Sequence, residues 1–198
     1  EDAILASGNL KVMVNVVGKN ITLDMNGKEI SLNHQGTTVA ERIYAVVSVE
    51  DGAGLTVTGD GSIDIDVNDE TPKVAYIFLQ RGSGYLVIEN GNYHMDDTED
   101  SMVYTTGDEV VTINGGTFIL DKVGSRPNLT PWILNTKGNN ERQIIVNGGT
   151  FNYDINHQYR PFEVFVPENL AVKANGDGTW TIVDAQAYVT ELLGAYVN

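Results

Sequence analysis

The sequence predicts an all-β parallel solenoid of about six coils, and three observations predict it. First, Thr112-Ile113-Asn114-Gly115-Gly116-Thr117-Phe118-Ile119-Leu120-Asp121 returns 33 residues later as Val146-Asn147-Gly148-Gly149-Thr150-Phe151-Asn152-Tyr153-Asp154. A fixed-period recurrence marks a repeat architecture. Second, with Phe118 as anchor, weaker copies fall at Ile30, Ile63, Tyr93, Phe151 and Trp180, in steps of 33, 30, 25, 33 and 29 residues. Third, the copies share an internal order of apolar run, link, apolar run, tight turn and anchor run. One such unit cannot bury its own apolar face, whereas a stack of them can. The alternative is an antiparallel meander or sandwich, because Asn-Gly between alternating runs is also a hairpin signal. Recurrence of equivalent residues at equivalent places favours stacking in register.

Each part of the unit has a physical reason. The anchor and the residue two further on point to one side of a strand. Those second positions are Leu32, Ile65, Met95, Leu120, Tyr153 and Ile182, all apolar. Turns rich in Gly, Asn and Asp precede the anchors, as at Asn26-Gly27, Asn90-Gly91 and Asn114-Gly115-Gly116. Gly and Asn accept the positive φ that tight turns need. Alternating pairs such as Leu55 and Val57 or Leu86 and Ile88 come before the turns. A third apolar run lies upstream of each: 12–17, 44–49, 74–79, 102–104, 132–134 and 162–166.

Taken in order, Glu1 to Ser7 is expected to be a short helical cap ending at Gly8. The solenoid domain then runs to residue 184. Insertions at 33–43, 66–73, 96–101, 121–131 and 154–161 all follow an anchor strand, so stacking would bring them to one corner. Such a corner is either a binding face or simply the place where insertions are tolerated. As a binding face it offers His34, Arg42, Arg126, Trp132, His157, Tyr159 and Arg160. Residues 185–198 lose the β pattern, and Val189, Leu192, Leu193 and Tyr196 recur at helical spacing. That segment either covers the last coil or packs on a neighbouring chain, with Tyr188, Leu192 and Tyr196 as the assembly candidates.

Lys and Arg total 12 against 27 Asp and Glu, a formal charge of −15. This argues against nucleic-acid and anionic-membrane binding, which need basic surface. No run is apolar enough to span a bilayer, and no signal peptide is evident. Cys is absent, which excludes a disulfide framework. A chain that begins at Glu1 and stops at Asn198 is expected to be a processed product or a piece of something longer.

Asn20-Ile21-Thr22-Leu23-Asp24-Met25-Asn26-Gly27-Lys28-Glu29-Ile30-Ser31 resembles the opening segment of right-handed parallel β-helix proteins of the pectate-lyase-like superfamily. The Asn-Gly-Gly-Thr-Phe units resemble their later coils, and Gly176-Asp177-Gly178-Thr179-Trp180-Thr181-Ile182-Val183 resembles a strand near their C-terminal ends. The resemblance implies a right-handed coil. Its known members include lyases, hydrolases, bacterial surface adhesins and phage head and tail fibres. It therefore implies an extracellular, virion or cell-surface setting, trimers in the fibre case, and glycans as candidate ligands.

A catalytic constellation is not evident. Pectin hydrolases of the family pair an Asn-Thr-Asp with an Asp-Asp and a Gly-His-Gly. Here Asn135-Thr136 is followed by Lys137, Asp96-Asp97 is present, and no Gly-His-Gly exists. Arg81, Arg126, Lys137 and Arg142 are available as a lyase base but sit in no recognisable motif. His34, His94 and His157 lack metal spacing, and His94, alternating with Tyr93 and Met95, should face outward as an exposed polar side chain. Asp66, Asp96, Asp121 and Asp154 occupy one column, where they either hold Ca²⁺ or cap their own turns. The expected function is a non-enzymatic recognition or structural module of a larger assembly. A polysaccharide lyase or glycoside hydrolase on the same fold is the alternative.

Overall fold

The computed structural model describes residues 2–6, 8, 14–31, 43–65, 74–95, 101–121, 132–137, 143–152 and 165–197. The chain opens with β1 (Asp2–Leu5). Triplets of strands follow: β2 (Val14–Val16), β3 (Asn20–Asp24) and β4 (Glu29–Ser31); then β5 (Ile43–Val49), β6 (Gly54–Thr58) and β7 (Ser62–Ile65). Next come β8 (Val74–Gln80), β9 (Tyr85–Ile88) and β10 (Asn92–Met95); then β11 (Ser101–Thr105), β12 (Val111–Ile113) and β13 (Thr117–Leu120). The last triplet is β14 (Trp132–Thr136), β15 (Ile144–Val146) and β16 (Thr150–Phe151). A hairpin of β17 (Leu170–Ala174) and β18 (Trp180–Asp184) leads into α1 (Ala185–Val197).

Each triplet gives one strand to each of three sheets, which makes the chain a β-solenoid. Sheet 1 runs β1-β3-β6-β9-β12-β15, and sheet 3 runs β2-β5-β8-β11-β14. Sheet 2 runs β4-β7-β10-β13-β16 and then takes in β18 and β17. The anchors stack as expected: Ile30 pairs with Ile63, Ile63 with Tyr93, Tyr93 with Phe118 and Phe118 with Phe151, all in parallel. All are buried at 1% exposure or less, which puts this column in the core. Rings stacked on successive strands must lie about one strand spacing apart. The centroids of Tyr93 and Phe118 are 4.9 Å apart and those of Phe118 and Phe151 5.0 Å. Phe78 closes the cluster edge-on against Tyr93 at 5.0 Å. Leu23, Val57, Ile88, Ile113 and Val146 form the matching column of sheet 1.

Two expectations are corrected at the ends. The N-terminal segment is a strand, not a helical cap: Asp2–Leu5 pairs in parallel with Ile21–Asp24. A helix this short gains little by itself, whereas the edge of β3 offers unpaired backbone groups. Ala6 N donates to Asp24 O at 2.8 Å, and Asn26 Nδ2 donates to Ala6 O at 3.1 Å. At the other end Trp180 does meet Phe151, but antiparallel, so the sixth repeat is not another coil. The link from β17 to β18 spans only Asn175-Gly176-Asp177-Gly178-Thr179, too short for a parallel crossover, and closes with Asn175 N donating to Thr179 O at 2.9 Å. The hairpin signal is realised here and nowhere else among the described turns. Asp184 starts α1 by accepting the Ala187 amide at 2.8 Å, the geometry of an N-cap.

The interior of sheet 3 changes character along its length. The column Val16, Val49 continues as Gln80, Thr105 and Thr136. Gln80 and Thr105 are fully buried, so their polar atoms need partners. Thr105 Oγ1 donates to Gln80 Oε1, and Gln80 Nε2 donates to Gly82 O and Gly84 O. The Gly107 amide donates to Thr105 Oγ1 at 3.2 Å, and Gln143 Nε2 donates to Gly107 O. This polar spine holds the corner between sheets 3 and 1. Gly107 belongs to it because a Cβ there would lie 2.2 Å from Gly82 O.

Candidate functional site

The insertions at 32–42, 66–73, 96–100 and 122–131 each join a strand of sheet 2 to a strand of sheet 3. The described strand ends that flank these segments thus stack at one corner, between sheets 2 and 3. Of the residues expected there, His34, Arg42, Asp66, Asp96, Arg126, Asp154, His157, Tyr159 and Arg160 lie outside the described residues. Asp121 and Trp132, at the two ends of the last of these links, are described.

Around Asp121 the structure builds a charged cluster from three successive triplets. Parallel register sets His94 of β10 beside Asp64 of β7 and Ile119 of β13, all on the outward side of sheet 2. His94 Nδ1 lies 2.8 Å from Asp64 Oδ1, and His94 Nε2 lies 3.0 Å from Asp121 Oδ2. An ionised carboxylate only accepts, and a neutral imidazole has a single N–H. Both bonds therefore form together only with the imidazolium. Where the imidazole is protonated, the cluster holds a cation between two carboxylates across three strands. All three side chains are at least one-third exposed, so the pairs act in high dielectric and each contributes about 0–1 kcal/mol. The expectation that His94 faces outward holds, but its carboxylate partners were not anticipated. Reading the column one residue after each anchor (Ser31, Asp64, His94, Ile119, Asn152) would have put Asp64 next to His94.

Asp121 is the one member of the proposed calcium column that is described, and its carboxylate is engaged by His94. Among the described residues no group of three His, Cys, Asp or Glu side chains is arranged to hold a metal ion.

Other outward columns form polar ladders. Asn147 Nδ2 donates to Asn114 Oδ1 at 2.8 Å, and Asn114 Nδ2 donates to both Glu89 carboxylate oxygens at 3.1 Å. The Thr150 hydroxyl meets Thr181 at 3.1 Å. Thr181 comes opposite Thr150 because β18 runs antiparallel to β16. Asp51 Oδ1 accepts the Ser83 amide at 3.0 Å, and Ser48 Oγ donates to Asn15 Oδ1 at 2.7 Å.

Sheet 3 carries an apolar cluster separate from the main core, formed by Ala45, Tyr76 and Leu79 with Tyr104 packed against them. Tyr76 and Tyr104 stack with centroids 4.8 Å apart and planes 20° from parallel. Trp132 pairs in register with Ser101 on the same sheet and is half-buried. Of these aromatics Tyr76 is buried, and Tyr104 and Trp132 are half-buried; the sequence alone points only to Trp132.

The terminal candidates divide. Tyr188 is half-buried against the hairpin, with Lys173 Nζ 5.6 Å from its ring centroid. Leu192 and Tyr196 are exposed, at 45% and 89%. No helix of the described residues is long and apolar enough to cross a membrane.

Fold and site together define a parallel β-solenoid with polar outer ladders and an insertion corner flanked by aromatics. No family model matches the chain, and no curated protein or solved structure matches it either.

Proposed function

We propose that the chain is a non-enzymatic structural and recognition module of a larger exposed assembly, of the kind found in phage fibres and decoration proteins or in bacterial surface adhesins. The observation that carries this reading is how the outer polar side chains are used. Glu89, Asn114 and Asn147, Asp51 and Ser83, and Asp64, His94 and Asp121 bond from one triplet to the next along the stack. Such ladders stiffen a scaffold that presents its insertions, rather than converging on a reacting atom. The coil is right-handed in this reading, because parallel crossovers within a sheet take that hand in about 98% of cases. The pectate-lyase-like resemblance belongs to the same proposal.

Glycan is the proposed ligand class, since a sugar ring packs its apolar face on aromatic side chains while polar groups bond its hydroxyls. Trp132 and Tyr104 supply the first, and the insertion corner the second. Calcium enters only as the cation that Asp66, Asp96, Asp121 and Asp154 would attract, and Asp121 would have to release His94 to take part.

A glycan array followed by calorimetric titration tests the reading. The expected result is binding of an oligosaccharide without turnover, weakened about tenfold or more by Trp132→Ala, which corresponds to at least about 1.4 kcal/mol. New reducing ends or unsaturated products from a polysaccharide panel would instead establish the alternative, a lyase or glycosidase on this fold.

A further inference from the structure

Among the described residues six large apolar side chains are exposed: Ile4, Val17, Val189, Leu192, Leu193 and Tyr196. Four of these lie on α1, within two turns of one another. They fall at i, i+3, i+4 and i+7, which places them on one stripe of a helix. The side of α1 that faces the protein is identified independently. Glu191 bonds Lys173 of β17 at 2.6 Å, and Tyr188 lies under the same ammonium group. At 3.6 residues per turn the centre of the apolar stripe lies roughly 150° round the helix from Glu191. The hairpin therefore holds α1 by its polar edge, and the apolar edge, 45% to 89% exposed, is turned away from it.

Charge indicates what covers it. The chain carries −15, so two copies repel over most of their surface. Glu191 is the one charged residue of α1, and Lys173 neutralises it within the chain. Two α1 helices can thus meet without bringing unpaired charge together. A basic partner, the natural complement of so acidic a chain, would find the one side-chain carboxylate of α1 already paired. Spacing of this kind is also the seam by which identical helices pack on each other, and a self-complementary patch closes on itself about a symmetry axis.

We propose that α1 is a self-association element, and that Val189, Leu192, Leu193 and Tyr196 are covered by α1 of a second copy of this chain. The inference is independent of the glycan reading, because it is tested without any ligand. Light scattering on the purified chain at high micromolar concentration should give an integer multiple of the single-chain mass. The double variant Leu192→Glu with Leu193→Glu should give the single-chain mass with an unchanged far-ultraviolet circular dichroism spectrum. The chain has no Cys, so Tyr196→Cys introduces a lone thiol. Under mild oxidation it should form a covalent dimer, whereas Ala187→Cys, on the opposite side of the helix, should not. This second readout decides the matter if the double variant misfolds. A wild-type chain that stays at single-chain mass, a folded double variant that keeps the multiple, or equal cross-linking from both cysteine positions would each overturn the proposal.

Discussion

Tyr93 shows how one residue couples the turn, the core and the response to pH. Its ring fills the anchor column between Ile63 and Phe118, and its hydroxyl donates to Asn90 O at 2.5 Å, just across the Asn-Gly turn. Gly91 has φ +124°, and a Cβ there would come within 2.5 Å of that hydroxyl. The turn is thus shaped to admit the tyrosine. Tyr93→Phe should lower stability by about 1 kcal/mol, the usual net value of such a bond, as read from urea unfolding. Burial also pushes the Tyr93 hydroxyl well above the usual phenol range. The folded state keeps its proton where the unfolded state, with a pKa near about 10, has released it. Below about pH 10 the group leaves stability unchanged, and above that stability falls as pH rises. Tyr93→Phe should therefore flatten the alkaline limb of a stability–pH curve, and an unchanged limb would place the loss elsewhere. At this scale the sequence was partly legible. The alternation of Tyr93, His94 and Met95 put His94 outside, because period two is a local property of a strand. Its clamp by Asp64 and Asp121 depends on register across three triplets, which local alternation does not contain.

At the scale of elements, the anchor strands owe their register to the aromatic stack as much as to the backbone ladder. Phe118 lies nearly parallel to Phe151, at 7° and 5.0 Å, and is itself fully buried. Phe118→Ala should cost about 3–5 kcal/mol, because both neighbouring rings lose contact and the ladder above and below prevents collapse. A double-mutant cycle of Phe118→Leu and Phe151→Leu should return a coupling of about 0.5–1.5 kcal/mol. A coupling near zero would mean that the rings merely fill volume. The anchors could be read from sequence because every interior triplet meets the same neighbours, so equivalent positions converge on similar side chains. That symmetry fails at the ends. The first segment, Asp2–Leu5, meets only one neighbour and became a strand on the exposed edge of β3. Trp180 keeps the anchor's chemistry while reversing its direction, since Phe151 needs an apolar partner whichever way that partner's backbone runs. Periodicity reports the environment of a side chain, and chain direction is not part of that environment.

For the whole molecule, the two ends are built differently, and stability should vary along the stack accordingly. In a solenoid each triplet contacts only its neighbours, so an end triplet has half the support of an interior one. At the C-terminal end the hairpin extends sheet 2 beyond β16, and α1 packs on the hairpin. At the N-terminal end β1 covers β3 alone; β2 and β4 are the terminal strands of their sheets. Ile4 and Val17, the two exposed large apolar side chains away from α1 among the described residues, are both at this end. Local opening should therefore begin there, because amide protection follows the free energy of opening each region. Hydrogen–deuterium exchange read by mass spectrometry should show the slowest amides in β9, β10 and β12, whose strands have neighbours on both sides. Exchange should quicken toward β4, β2 and β1. The gradient should be asymmetric, with β18 better protected than β4, although each lies near an end of sheet 2. Equal protection from β1 to β15 would instead mean that the stack opens as one unit, and that the polar ladders and the aromatic column couple the triplets strongly enough to erase their differences in support.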